Sequence, residues 1–255
     1  MKPAARSPAL RRALLWALAL GLAALFVSAG LWQSGRAVQK EAQLAAADAV
    51  LAERRAVPLA EALAAMPAWV EVAGEFEDVP ALRLDNQRRG ARVGVHVYRL
   101  VRTETGERLW VDLGWRELPS DRTVPDEASP PSGGQRLPGL LVPPPSAGLA
   151  LGEAASALPD GGRLALRLEP AVLREAAAFG PANGAANADF GDAATAVIDT
   201  AVLRLDPAVP IGHERDLDLL ANTLSPDKHR GYALQWFGFA AGLLLLSLYL
   251  QFRRP

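Results

Sequence analysis

The stretch ALLWALALGLAALFVSAGLW, residues 13–32, decides how the rest of the chain is read. It runs for about 20 residues without a charge, the length a helix needs to cross a hydrocarbon core of roughly 30 Å. A second run, GYALQWFGFAAGLLLLSLYL at residues 231–250, matches it in length and has one strongly polar interruption, Gln235. Trp16 and Trp32 lie near the ends of the first run, and Tyr232, Trp236 and Tyr249 near those of the second. Rings so placed sit at headgroup level. A cleaved signal peptide is the competing reading of residues 13–32, with Ser28-Ala29-Gly30 as its small-residue cleavage site. The run exceeds the roughly 7–15 residues of a signal-peptide core and ends in Leu31-Trp32, so an uncleaved anchor is expected.

Flanking charge orients both runs. Lys2, Arg6, Arg11 and Arg12 precede the first with no acid before Gln33, and Arg253 and Arg254 follow the second. The positive-inside rule then puts the tails, 1–12 and 251–255, in the cytoplasm and residues 33–230 on the far side. The N-terminal tail is shorter than an Arg/Ser-rich transit peptide, which favours a bacterial inner membrane. The 255-residue chain has a net charge of −1, but with those six cations set aside 21 Lys and Arg face all 28 Asp and Glu, so the interior carries −7. An acidic interior argues against nucleic acid, which wants a basic face. The absence of cysteine excludes disulfides, thiolate metal sites and cysteine nucleophiles. With Met1 and Met66 as the only soft donors, delivery of Cu(I) is disfavoured as well.

The interior begins as helix. Residues 33–56 are rich in Ala, Gln, Glu and Arg, so the first span is expected to continue into water despite Gly35 and to stop before Pro58. A short helix at 59–65 follows. Strands come next: Trp69–Phe76 alternates apolar and polar residues, and Val93, Val95 and Val97 share one face opposite His96 and Tyr98. Thr103-Glu-Thr-Gly106 reads as a hairpin turn before a returning strand at 109–113. The proline-rich segment 119–147 reads as loop with one edge strand at 137–142. Strands at 163–168 and 195–205, a helix at 169–179 and a loop at 180–192 complete the reading. Five to seven strands with few helices give an antiparallel β-barrel or sandwich, α+β in class, flanked by two transmembrane helices.

Local catalytic motifs are lacking: there is no HExxH, GxSxG, Walker loop or GxGxxG before a helix, and the chain reads as a non-enzyme. The three histidines are far apart in sequence. Two places stand out. Trp32-Gln33 leads to Arg36 and Lys40, which share a helix face at i, i+4 and suit an anion or acidic headgroups; an ordinary interfacial belt has the same residues. His229 lies within a turn of the second span, where an imidazole is a candidate haem ligand or a lipid-facing histidine. Gln235 inside the span calls for a polar partner. His96 and His213 read as structural or surface residues.

These places carry a resemblance. The run HRGYALQWFGFA at 229–240 and GLWQSGR at 30–36 resemble the signatures of the surfeit locus protein 1 family at its second and first membrane helices. Val72–Phe76, Arg89–Gly94 and Leu109–Trp115 resemble its strands, and the likeness weakens between Pro119 and Pro210. The resemblance implies a two-span inner-membrane assembly factor of haem–copper cytochrome c oxidase that helps haem a reach the catalytic subunit. It makes His229 a haem a contact or iron ligand. It gathers Trp32, Gln33, Arg36, Arg230, Gln235 and Trp236 around the cofactor, with Arg36, Lys40 or Arg230 facing the propionates. Gly114 and Trp115 match a central pair read as structural, a glycine ending a strand and a tryptophan under a loop. The implied partners are the oxidase catalytic subunit, other assembly factors and the bilayer. Lys228, Arg230 and Gly231 depart from the smaller or apolar residues many members carry beside the histidine. The rival function is a membrane-tethered periplasmic scaffold or adaptor of an envelope complex without cofactor.

Overall fold

The structure is a computed structural model, and it describes residues 8–145, 152–178, 197–218 and 224–253. The chain divides into two compact units, residues 1–45 with 223–255, and residues 46–222. Residues 33–45, grouped with the β-rich domain in the sequence reading, belong to the first unit.

The first unit holds two helices, α1 (Pro8–Glu53), whose last turns enter the second unit, and α4 (Pro226–Phe252). Gly35 does not break α1, as expected from the helix formers around it. The start of α4 is written in Ser225-Pro226-Asp227: the Ser225 hydroxyl caps the Lys228 N–H, proline occupies the first turn and Asp227 meets the positive end of the dipole. Both helices are long and apolar enough to cross a membrane. Only 17% and 11% of their apolar windows is buried within the chain.

The second unit is built on one mixed sheet. After α2 (Leu59–Ala64) come β1 (Ala68–Phe76), β2 (Leu82–Arg89), β3 (Arg92–Thr103), β4 (Arg108–Glu117), β5 (Gln135–Val142), β6 (Ala155–Ala157), β7 (Arg163–Ala165), α3 (Pro170–Ala178) and β8 (Val197–Leu205). The strand order is β1-β5-β8-β4-β3-β2-β7-β6, and the end of β1 also pairs β3, so the hydrogen bonding returns on itself through five strands. Two pairings, β2–β7 and β4–β8, are parallel, which corrects the all-antiparallel expectation. Parallel neighbours need long connections, and the stretches between these strands supply them.

Hairpins match the turn chemistry. Gly106 at φ +97° closes the β3–β4 turn, its N–H donating to Thr103 O at 3.0 Å. β2 escaped the sequence reading because Asp85-Asn86 breaks its alternation; Asn86 stands at φ +58° where the register slips between Leu84 and Gln87. β5 lies between β1 and β8 and is no edge strand. Its Pro138 fits because a strand residue points N and C=O to the same side: Pro138 O accepts from Asp206 N–H at 2.9 Å, just past the end of β8, where no ladder bond is lost. β7 covers only the first half of the expected strand at 163–168, and α3 matches its helix. The expected loop at 180–192 lies outside the described residues.

The central strands bury both faces. Trp69, Tyr98, Leu100, Trp110 and Leu140 pack with Val172, Leu173 and Ala176 of α3. Val70, Val72, Val101, Leu109, Val111 and Leu203 pack with Ala62 of α2 on the alternate residues. Trp110, fully buried, also donates its indole N–H to Leu173 O at 3.1 Å. Each such side chain contributes about 1.5–3 kcal/mol by burial.

Candidate functional site

Small residues bring α1 and α4 together. Ala19, Ala23, Gly30 and Ala37 are buried on α1 at three- and four-residue multiples, as are Ala233 and Ala240 on α4. Small side chains let two backbones approach where no water drives association. Phe26 meets Trp236 (ring centroids 5.7 Å apart), and Gln33, further along α1, meets His229, earlier on α4, so the two helices are antiparallel.

The seam joins two of the residues singled out in the sequence. His229, 7% exposed in the first turns of α4, meets Gln33 of α1, with Nδ1 and Oε1 2.7 Å apart. An amide oxygen only accepts, so Nδ1 carries a proton, and in the neutral ring the lone pair then lies on Nε2. Nε2 makes no hydrogen bond among the described residues.

The other predicted residues are distributed around this pair. Arg230, the next residue, pairs with Glu41 and, at 3.3 Å, with Asp227. Arg36 is exposed and donates to Gln39 Oε1 at 3.1 Å. Lys40 has no ion pair among the described residues, so Arg36 and Lys40 are cations not committed to a carboxylate. Trp236 packs with Phe26 and Phe239. Trp32 is 60% exposed, one step round the helix from Gln33. Gln235 does not share the face of His229: six residues at about 100° each turn it away, and it is exposed. Sequence reasoning missed Ala37, Glu41 and Phe237; the three- and four-residue spacing from Ala19 through Gln33 to Ala37 was the available signal. At the other end of the helix pair lies an apolar groove of about 400 Å³ lined by Trp16, Leu18, Leu22, Leu243 and Leu246, with Arg12 at its margin.

In the second unit the polar groups hold structure. His96 Nδ1 lies 3.0 Å from both Asp112 oxygens, and Gly114 N–H donates to Asp112 Oδ1 at 2.9 Å. Burial pushes the Asp112 carboxyl up, but His96, Arg204 and the Gly114 N–H outweigh it and hold it below the ordinary carboxylate range. His213 and Arg116 do the same for Glu127 against its burial, at 2.9 and 2.6 Å. Gly114 does not end its strand: it sits at φ +111° where the β3–β4 register shifts, and β4 runs on to Glu117. Trp115, 2% exposed, bonds Gln87 O at 3.0 Å beneath the Arg92 guanidinium, 4.8 Å from the ring. Its backbone N–H donates to Glu214 O, in the segment after β8, at 2.8 Å. No cluster of three or more metal-ligating side chains occurs among the described residues.

The family model described as the SURF1 family matches residues 20–241, and the chain belongs to that family. The match takes in the Gln33–His229 seam and the whole sheet. The family is known for cytochrome c oxidase assembly and is not a family of catalytic enzymes. A search of curated proteins finds no match.

Proposed function

We propose that this SURF1-family chain sits in a bacterial inner membrane, both termini cytoplasmic, and assists haem a on its way to the catalytic subunit of cytochrome c oxidase. The observation that carries the reading is the 2.7 Å contact of His229 with Gln33, which unites the two most distinctive segments of the sequence and leaves Nε2 without a partner among the described residues.

The donor set suits a haem. A lone pair on a fixed imidazole is the usual nitrogen ligand of haem iron, and Arg36 and Lys40 on the same stretch of α1 are free to meet carboxylates. Haem a, when bound, supplies the redox-active iron that the oxidase needs; this chain supplies the imidazole, the cations and an apolar flank. The exposed apolar faces of α1 and α4 suit lipid, and basic flanks at both ends support the orientation. A cleavage after Gly30 would remove the half of α1 that carries Phe26 and Gly30, the neighbours of Trp236, Phe239 and Phe237, so the seam favours an anchor over a signal peptide. The β-domain would meet the oxidase subunit or another assembly factor.

The test is an optical spectrum of the full chain, purified in detergent after co-expression with haem a synthesis, for the wild type and His229→Ala. A haem a band that weakens or shifts in the variant supports the reading. No haem in either, with a supplied pool, favours a scaffold without cofactor.

A further inference from the structure

We infer that Gln33 is the positioning residue of the site: it sets the tautomer of His229 and so makes Nε2 the atom offered to a ligand. The inference rests on the haem-handling reading for the identity of that ligand, but its geometry stands without it.

A neutral imidazole has one N–H and one lone pair, and what decides their places is the partner of the other nitrogen. Here that partner is an amide oxygen 2.7 Å from Nδ1. An acceptor at Nδ1 draws the proton there, raises the electron density of Nε2 and fixes the ring plane, as an outer partner does for a metal-bound histidine. The surroundings hold Gln33 in turn. It lies one turn from Gly30, where a Cβ would already run into the Phe237 ring, and one turn from Ala37, 2% exposed on the same helix. Arg230 fastens the next step of α4 to Glu41 and Asp227, so the histidine is bracketed on both sides. No other side chain bonds the ring among the described residues. The consequence is that helix pairing and ligand readiness are one property: separating α1 from α4 removes the acceptor, and the proton is then free to move to Nε2.

Nitrogen-15 NMR of the full chain in detergent, labelled at histidine, reads the tautomer directly and needs no haem. Wild type is expected to hold the Nδ1–H form at His229. Gln33→Leu loses that preference, while Gln33→Glu, which still offers an oxygen acceptor, keeps it. Titration with haem a should show a dissociation constant about 10–100-fold weaker in Gln33→Leu and largely restored in Gln33→Glu. A wild type in the Nε2–H form, or a Gln33→Leu chain with the wild-type tautomer, overturns the positioning role even if haem binds. An Nδ1–H wild type that takes up no haem leaves that role standing and overturns the functional reading instead.

Discussion

Gly30 of α1 faces the Phe237 ring of α4 with no room between them: a Cβ at residue 30 would come within 2.6 Å of the ring. The contact lies one turn from Gln33, so the approach that admits this ring also sets the distance over which His229 meets its partner.

Substitution at this point therefore tests the seam. Gly30→Ala is expected to be partly absorbed, because the near atoms are the far edge of a ring that can turn. Gly30→Val should separate the helices, and adding Phe237→Ala should recover part of the loss. A coupling of about 0.5–3 kcal/mol in thermal unfolding of the detergent-solubilised chain is the expected outcome. Strict additivity would mean that the two residues do not meet.

Asp112 predicts a pH dependence. Its carboxyl is held low by His96, Arg204 and the Gly114 N–H in spite of burial. The folded value lies below the unfolded one of about 3.9, so the contribution is complete above that value and is lost as pH falls through the lower folded one. Asp112→Asn should cost about 3–5 kcal/mol near neutrality, since His96 and Arg204 lose their counter-charge. Urea unfolding followed by tryptophan fluorescence should show the gap between wild type and variant narrowing as pH is lowered toward about 3. A gap that stays constant would assign the loss to packing.

Gly114→Ala should destabilise the β-domain by about 1–3 kcal/mol. The backbone stands at φ +111°, and a Cβ would meet Arg215 Cγ at 2.5 Å and Glu214 O at 2.8 Å. A lower melting temperature without loss of secondary structure in circular dichroism is expected. An unchanged melting temperature would show that the strand can relax around the added methyl.

The proposed topology has its own check. A phosphatase inserted in the loop at 119–134 should be active, and fluorescent proteins fused at either terminus should fold and fluoresce in the cytoplasm. Activity of a phosphatase at the C-terminus would reverse the orientation.

Much of this was legible because period and composition were unambiguous. The alternation in Trp69–Phe76, the Thr103–Gly106 turn, the helix from residue 170 and the uninterrupted α1 all follow from local signals. β2 was hidden by its polar outer half, Asn86 and the slip beside it, where tertiary pairing overrides pattern. β5 was read as an edge because prolines crowd it, whereas its neighbours are set by where β8 ends. At the site, Gln33 and His229 were both marked, yet nothing in a one-dimensional string says that residues 196 positions apart touch. Gln235 joins them in the sequence as a polar residue inside the span and through the resemblance, and helical rotation separates it.

The closed pairing of the sheet limits how another protein can join it. β1 is turned back onto β3, and two of its outward carbonyls, at Trp69 and Ala73, already accept from Val57 and Glu104. The far end of the strand order is β6, three residues long. Among the described strands there is accordingly little bare backbone on which a visiting segment could lie down as one more strand. A partner of this domain would therefore be met mainly by side chains and loops, and single surface substitutions should weaken such a contact without disturbing the fold.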